Sequence, residues 1–264
     1  MTMTLNYKTE AAAGYDAAFA QVTSYFAPSL LRAAAVTQGM HVLDIATGTG
    51  LVAEAALAEV GAAGSVTAAD LSPAMIRQAR RRLSQAENVA IAIENGEELS
   101  FLDQSFDAVL CSLGLMFFPN PELGLAEFHR VLRPGGRAAV SVNTVPQRSY
   151  NTRINLAIAR YVPSLAETAA RVFSLGNESR LRSLFTAAGF VDIEINVRSK
   201  VFQLPSFDVY FTPFEQGAGS PGQALVSLPE EARRAVREEV RRELRDDGGP
   251  IELEVEYMFA SGRR

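Results

Sequence analysis

The sequence predicts an α/β domain built on a parallel sheet with helices on both faces. Short apolar runs recur at regular spacing between residues 40 and 143. Segments of helical periodicity lie between them, and glycine or proline marks the junctions. Parallel neighbours need crossover connections, and right-handed crossovers leave few topologies.

Each element has a local reason. Residues 10–36 are alanine-rich, with Phe19, Val22, Phe26, Leu30 and Ala33 at steps of three or four, which predicts helix; Pro28 is expected to start a second helix or kink the first. MHVLDI (40–45) reads as a short buried strand that Gly48 and Gly50 break, and LVAEAALAEV (51–60) as a helix. GAAG (61–64) turns the chain into a second strand, SVTAAD (65–70). Ser72 is placed as an N-cap with Pro73 at the first helical position of an amphipathic helix over 74–83. NVAIAI (88–93) and FDAVLCS (106–112) are the third and fourth strands. A helix over 121–132 should stop before RPGG (133–136), a strong turn signal, and RAAVSVN (137–143) is the fifth strand.

The remaining chain is less regular. Helices are expected over 151–162 and 179–190, the latter ending at Gly189, and a long alternating strand over 191–204. Residues 205–227, rich in Pro, Gly and aromatics, read as loops with short helices. Residues 229–247 put Ala232, Val236, Val240 and Leu244 on one stripe. The six arginines of that segment nearly cancel its seven acids, which describes a solvated amphipathic helix. A final alternating strand covers 251–260.

Composition excludes several classes. With 264 residues and 48% hydrophobic content the chain can build a core, so wholesale disorder is out. One cysteine rules out a disulfide scaffold or a four-cysteine metal site. His41, in the turn before the first strand, and His129, on a helix, show no metal-ligand pairing, so no metal is expected. The net charge of −5 lacks the basic excess of a nucleic-acid binder. MTMTLNYKTE has no signal-peptide pattern, and no apolar run reaches the ~18 residues of a membrane span. A cytoplasmic protein with no nucleic-acid or membrane partner is expected.

The chemistry concentrates in VLDIATGTGLVAEAA (42–56), where a strand enters a glycine turn and then a helix. Gly48 and Gly50 let the backbone approach a ligand, and the helix start offers free N–H groups. Asp70 ends the next strand, 20 residues after Gly50, where an acid accepts hydrogen bonds from both hydroxyls of a ribose. A nucleoside-bearing cofactor follows. Gly48-x-Gly50-x-x-Ala53 formally satisfies the dinucleotide fingerprint. Asp44, however, would repel a pyrophosphate and attract a cationic amino-acid tail, which favours S-adenosylmethionine.

VLDIATGTG, Asp70-Leu71 in VTAADLSPAMI, NGEELSF (95–101), SFDAVLCSLGLMFF (105–118) and RVLRPGGR (130–137) together resemble the class I S-adenosylmethionine-dependent methyltransferases. Within that class they resemble the ubiquinone/menaquinone C-methyltransferases and related small-molecule enzymes. The resemblance implies a Rossmann-like, mostly parallel sheet of seven strands. The last strand, 251–260, would be antiparallel and inserted beside the sixth, as the hairpin-like order of the two final strands also suggests. It implies a single methyltransferase domain: an N-terminal helical cap (1–36), a cofactor core (37–145), and cover segments (146–176 and 205–248).

By position, the resemblance puts Asp44, Ala46, Thr47, Gly48 and Gly50 around the methionyl part. Asp70 would hold the ribose, with Leu71 and Met75 against the adenine and Asn95, Gly96 and Glu97 at its edge. Cys111, Ser112 and Leu113 would line the reacting end, and Tyr15 would close over the cofactor. Two positions depart from the family pattern. Ala46 replaces a loop glycine and is tolerable at negative φ. Asn95 stands where members carry Asp and can still accept through its carbonyl oxygen.

The acceptor is expected to be a small, somewhat apolar organic molecule methylated on O, N or C, bordered by Met116, Phe117, Tyr150 and Tyr210. Core packing explains those four side chains as well, and Cys111 reads as core rather than nucleophile. No catalytic base is identified, and the chain is expected to be a monomer or homodimer. The competing readings are a catalytically silent adenosylmethionine-binding partner protein and a nicotinamide-dependent oxidoreductase.

Overall fold

The structure, a computed structural model, describes residues 7–264; residues 1–6 of the expected N-terminal cap lie outside the described residues. Seven strands form one sheet: β1 (His41–Ile45), β2 (Ser65–Asp70), β3 (Val89–Ile93), β4 (Phe106–Ser112), β5 (Leu132–Asn143), β6 (Val191–Leu204) and β7 (Ile251–Arg263). Their spatial order is β3-β2-β1-β4-β5-β7-β6. β1 to β5 pair in parallel, and β7 enters between β5 and β6, antiparallel to both. The expected place and direction of the last strand are thus observed.

The N-terminal helices are α1 (Thr9–Ala13) and α2 (Tyr15–Ala33), and the crossovers are α3 (Leu51–Val60), α4 (Pro73–Arg82) and α5 (Pro121–Val131). The later helices are α6 (Thr152–Ala159), α7 (Ser164–Arg171), α8 (Glu178–Ala187), α9 (Phe207–Glu215), α10 (Gly219–Val226) and α11 (Glu230–Glu243). One core lies between the sheet and α2, α3, α6, α9, α10 and α11; the other lies beneath α5 and α8. Local caps agree with the sequence: Ser72 Oγ accepts from the Met75 amide at 3.4 Å, and α8 stops before Gly189 at φ +92°.

Three expectations are corrected. Pro28 does not start a second helix: α2 runs through it, which leaves the other expectation, a kink, and the N-terminal break falls at Gly14. An interior proline costs about 3 kcal/mol. Val22, Phe26, Leu30 and Leu31 on the two sides of it are buried, each contributing roughly 1.5–3 kcal/mol, so burial wins. RPGG is not a turn ahead of β5 but part of it, beside a register shift against β4. Gly135, at φ +85°, donates to the Arg264 carbonyl at 3.1 Å, and the Arg264 amide donates to Gly136 at 2.9 Å. The far end of the chain therefore holds this stretch extended.

The third concerns Tyr150 and Tyr210, expected beside the acceptor. Phe207, Tyr210, Phe211 and Phe214 have the periodic face of a helix, α9, and all four are fully buried. The Tyr210 hydroxyl donates to the Tyr150 carbonyl at 2.7 Å, and the two rings meet edge to face.

Candidate active site

A cavity of about 240 Å³ opens where the carboxyl ends of β1, β2, β3 and β4 meet the N-terminal segment. Parallel sheets place ligand sites there because the loops leaving the strands diverge. Of the residues expected at the cofactor, Tyr15, Ala46, Gly48, Asp70, Leu71 and Met75 line this cavity. Asn95, Gly96, Glu97, Ser112 and Leu113 line it too. Asp44, Thr47, Gly50 and Cys111 do not; they stand behind the wall, with Asp44 and Cys111 fully buried. Of the four residues expected at the acceptor, only Phe117 reaches the cavity. Met116 is buried beside Asn143, and Tyr150 and Tyr210 belong to the helical core, where hydrophobic burial outcompetes exposure to a ligand.

Asp70 is the best-organised group of the wall. One carboxylate oxygen accepts from the Gly48 amide at 2.9 Å and the other from the Ser72 amide at 2.8 Å. Each oxygen keeps a further lone pair, so the side chain is oriented yet can still accept from a ligand. Burial raises its pKa, and the two amides pull it back.

Asp44 stands directly behind Ile45 and Ala46. Its Oδ2 accepts from Thr47 Oγ1 at 2.6 Å, whereas the buried Oδ1 has no hydrogen-bond partner. An orphaned buried carboxylate oxygen is costly unless a cation or donor satisfies it. Burial pushes the Asp44 pKa up to about 7, and the Thr47 hydroxyl opposes that shift. The donor set suits a ligand with a positive tail and a ribose and would repel a pyrophosphate.

The loop between β1 and α3 is strained. Ala46 sits at φ +57°, not the negative φ expected of it, and Gly48 and Gly50 are at +57° and +87°. Left-handed alanine costs about 1–2 kcal/mol. A Cβ on Gly48 would meet nothing within 4 Å, so the backbone there lies open to a ligand. Gly114 and Gly96 act in the opposite sense: a side chain on the first would strike the Ala46 methyl, and on the second the Phe118 ring. Asn95 Oδ1 accepts from the Glu97 amide at 3.1 Å, which engages part of the acceptor capacity expected to serve the adenine. The Glu97 carboxylate in turn accepts from the Asn120 amide.

The sequence reading missed Tyr7, Ile45, Ser72 and Glu94, which also line the cavity, as do Gly114, Phe118 and Pro119. Tyr7 packs edge to face on Tyr15 at 6.2 Å, and burial raises both phenols, Tyr7 to about 12. No periodic signal marks Tyr7. Phe118 stood next to Phe117 in a motif already noted. Neither histidine lines the cavity: His41 Nδ1 lies 2.7 Å from Ser65 Oγ, and the His129 ring meets Phe190. Among the described residues there is no cluster able to hold a metal ion and no helix long and apolar enough to cross a membrane.

A seven-stranded sheet with this inserted antiparallel strand, and an oriented acid at the end of its second strand, are features of the class I methyltransferases. The family model for the methyltransferase domain matches residues 42–136. A demethylmenaquinone methyltransferase of Clavibacter sepedonicus is 38% identical over 176 residues, covering 62% of this chain and 70% of the relative. A ubiquinone/menaquinone biosynthesis C-methyltransferase of Hydrogenovibrio crunogenus is 40% identical over 108 residues, 40% of this chain and 42% of that one. The solved structure of phosphoethanolamine N-methyltransferase 2 from Haemonchus contortus superimposes with a TM-score of 0.62 at 19% identity, over 98% of this chain and 58% of that chain, and supports the fold. The chain belongs to the class I S-adenosylmethionine-dependent methyltransferases, in the group of the ubiquinone/menaquinone C-methyltransferases. It is an enzyme that transfers methyl groups from S-adenosylmethionine.

Proposed function

We propose that the cavity at the ends of β1 to β4 holds S-adenosylmethionine and methylates a small, largely apolar organic acceptor. The observation that carries this reading is Asp70, with both carboxylate oxygens fixed by the Gly48 and Ser72 amides at the cavity wall. Asp70 would take the ribose hydroxyls, Leu71 and Met75 the adenine faces, and Asn95 and Glu97 its edge. Asp44, whose Oδ1 lacks a partner, would balance the charge of the methionyl ammonium directly or through water.

The bound cofactor supplies a methyl group on a sulfonium with a neutral thioether as leaving group. The task left to the protein is alignment, which contributes on the order of 7–11 kcal/mol in well-oriented reactions. Leu113, Phe117 and Tyr15 would orient the acceptor and exclude water. The Tyr15 hydroxyl, protonated at neutral pH, can donate a hydrogen bond to an acceptor oxygen. With no histidine in the wall, and with its Asp70, Glu94 and Glu97 carboxylates engaged by the Gly48 and Ser72 amides, Ser100 and Asn120, the reading favours a reacting atom that is nucleophilic without a strong base, such as a carbon of an electron-rich ring. The demethylmenaquinone named for the Clavibacter relative would offer such a ring carbon in its reduced, quinol form.

We also place the boundary of the cofactor core at 37–145, with 146–176 and 205–248 as the cover. The contact of the cover with the cavity is indirect. The Lys8 amide donates to Gln223 of α10 at 2.9 Å and Tyr7 hydrogen-bonds Ser220, so α10 holds the segment that carries the two cavity tyrosines. Incubation with methyl-labelled S-adenosylmethionine and fractionated metabolites of the source organism tests the reading. A labelled small apolar product is expected. Label found only in protein or nucleic acid, or cofactor binding with no transfer to any fraction, would overturn it.

A further inference from the structure

β6 forms one edge of the sheet, and no strand among the described residues pairs with its outer side. It is 14 residues long, and Val191, Val197 and Val201 on it are 48%, 47% and 44% exposed. A long, apolar-bearing open edge is a template for another strand and is normally shortened, covered or charged. This one is charged in an ordered way: Asp192 and Glu194 precede Asn196, and Arg198 and Lys200 follow it at the same spacing.

We infer that β6 is the contact between two copies of this chain, joined antiparallel edge to edge about a two-fold axis at Asn196. Antiparallel pairing about that residue sets Glu194 opposite Arg198 of the second copy, twice by symmetry; the register shift between Val191 and Glu194, with Asp192 at φ +49°, ends the regular ladder beyond them. On the other face it sets Ile195 opposite Val197, again twice by symmetry. Opposite charges and β-branched pairs directly across an antiparallel ladder are favourable, and like charges there are not. Registers about Ile195 or Val197 leave Glu194 or Arg198 opposite Asn196 and use Asp192 or Lys200, which already face Arg263 and the Tyr25 ring. Other registers fail on the charge rule. Pairing about Glu194 or about Arg198 sets that residue against its own copy, and parallel in-register pairing sets like against like throughout. The contact is isologous and closed, so it ends at a dimer.

The groups involved are available for it. Arg198 is exposed and has no ion pair within its chain among the described residues. The Glu194 side chain is 66% exposed and meets Arg137 only at 3.3 Å. Asp192, in the irregular start of the strand, bridges Arg263, and Lys200 lies over the Tyr25 ring, so the Glu194–Arg198 pair carries the contact. The cavity is lined from the opposite half of the sheet, so this interface is independent of the methyl-transfer site.

Sedimentation velocity over a concentration series tests the inference on the full chain. The unaltered protein should be a dimer. Arg198→Glu and Glu194→Arg should each weaken it at least about tenfold, since either sets like charges opposite twice. The double variant with both changes should recover the dimer, because the opposite-charge pairs are restored in reverse. Circular dichroism, with adenosylmethionine binding unchanged, confirms that each variant is folded. A protein monomeric at its highest soluble concentration, a dimer indifferent to the single reversals, or a double variant no better than the singles would overturn it.

Discussion

Thr49 Oγ1 donates a 2.6 Å hydrogen bond to Asp16 Oδ1, so the cofactor loop is latched to the helix that carries Tyr15. Arg82 of α4 completes the latch. Its Nε donates to the Thr49 carbonyl at 3.0 Å, and its guanidinium pairs with Asp16 and, at 2.8 Å, with Glu54. The latch holds the loop of Ala46, Gly48 and Gly50 and the cavity-lining Tyr15 in one geometry.

Breaking the latch should therefore weaken cofactor binding without touching the cofactor. Asp16→Ala removes partners from both Thr49 and Arg82. With the Asp16 side chain 37% exposed, the pair is partly screened and the expected loss is about 1 kcal/mol, or roughly fivefold in affinity. Calorimetry should show this loss with little change in the far-ultraviolet spectrum.

Asp70→Ala should cost more, about 1–3 kcal/mol of adenosylmethionine affinity, because on the proposed ribose assignment it removes charge-assisted bonds to two hydroxyls. Unchanged affinity in a folded Asp70→Ala protein would contradict the ribose assignment.

Asp44 should make both stability and binding depend on pH. Its folded pKa, about 7, lies above the ordinary 3.8, so the fold favours the protonated form. That contribution is complete below about pH 4 and is lost as pH rises through about 7. The cofactor-free protein should thus melt progressively lower across this window on account of Asp44. A cationic cofactor prefers the carboxylate, so binding should tighten as pH rises through about 7, with proton release below it. Asp44→Asn should flatten both slopes, seen by thermal melts and by calorimetry in buffers of different ionisation enthalpy.

Ala46→Gly should stabilise the protein slightly. It relieves about 1–2 kcal/mol of left-handed strain. The freer unfolded chain returns about 0.4–1 kcal/mol of that. The Ala46 methyl also packs against the core beneath α5, which offsets part of the relief, so a net gain of up to about 1 kcal/mol is expected in denaturant melts.

Tyr210→Phe should cost about 1 kcal/mol of stability through the lost bond to the Tyr150 carbonyl. The KM for the acceptor should be unchanged, since Tyr210 does not line the cavity. A selective rise in KM would return Tyr210 to the acceptor pocket.

The order of strands and crossover helices, the cap at Ser72, the helix stop at Gly189 and the placement of Asp70 were all legible in the sequence. Each depends on neighbours within a few residues: apolar periodicity, a hydroxyl before a helix, a glycine after one. What tertiary structure decided involves partners far along the chain. Ala46 takes a positive φ in a loop latched through Thr49 to Asp16 and Arg82. RPGG is drawn into β5 by Arg264, 128 residues beyond Gly136. Tyr7 reaches the cavity because α10 holds its segment, and Tyr210 leaves it because the α9 aromatics bury one another. Periodicity tells which face of an element is buried but not what covers it; only the assembled sheet turns that face into core, cavity wall or open edge.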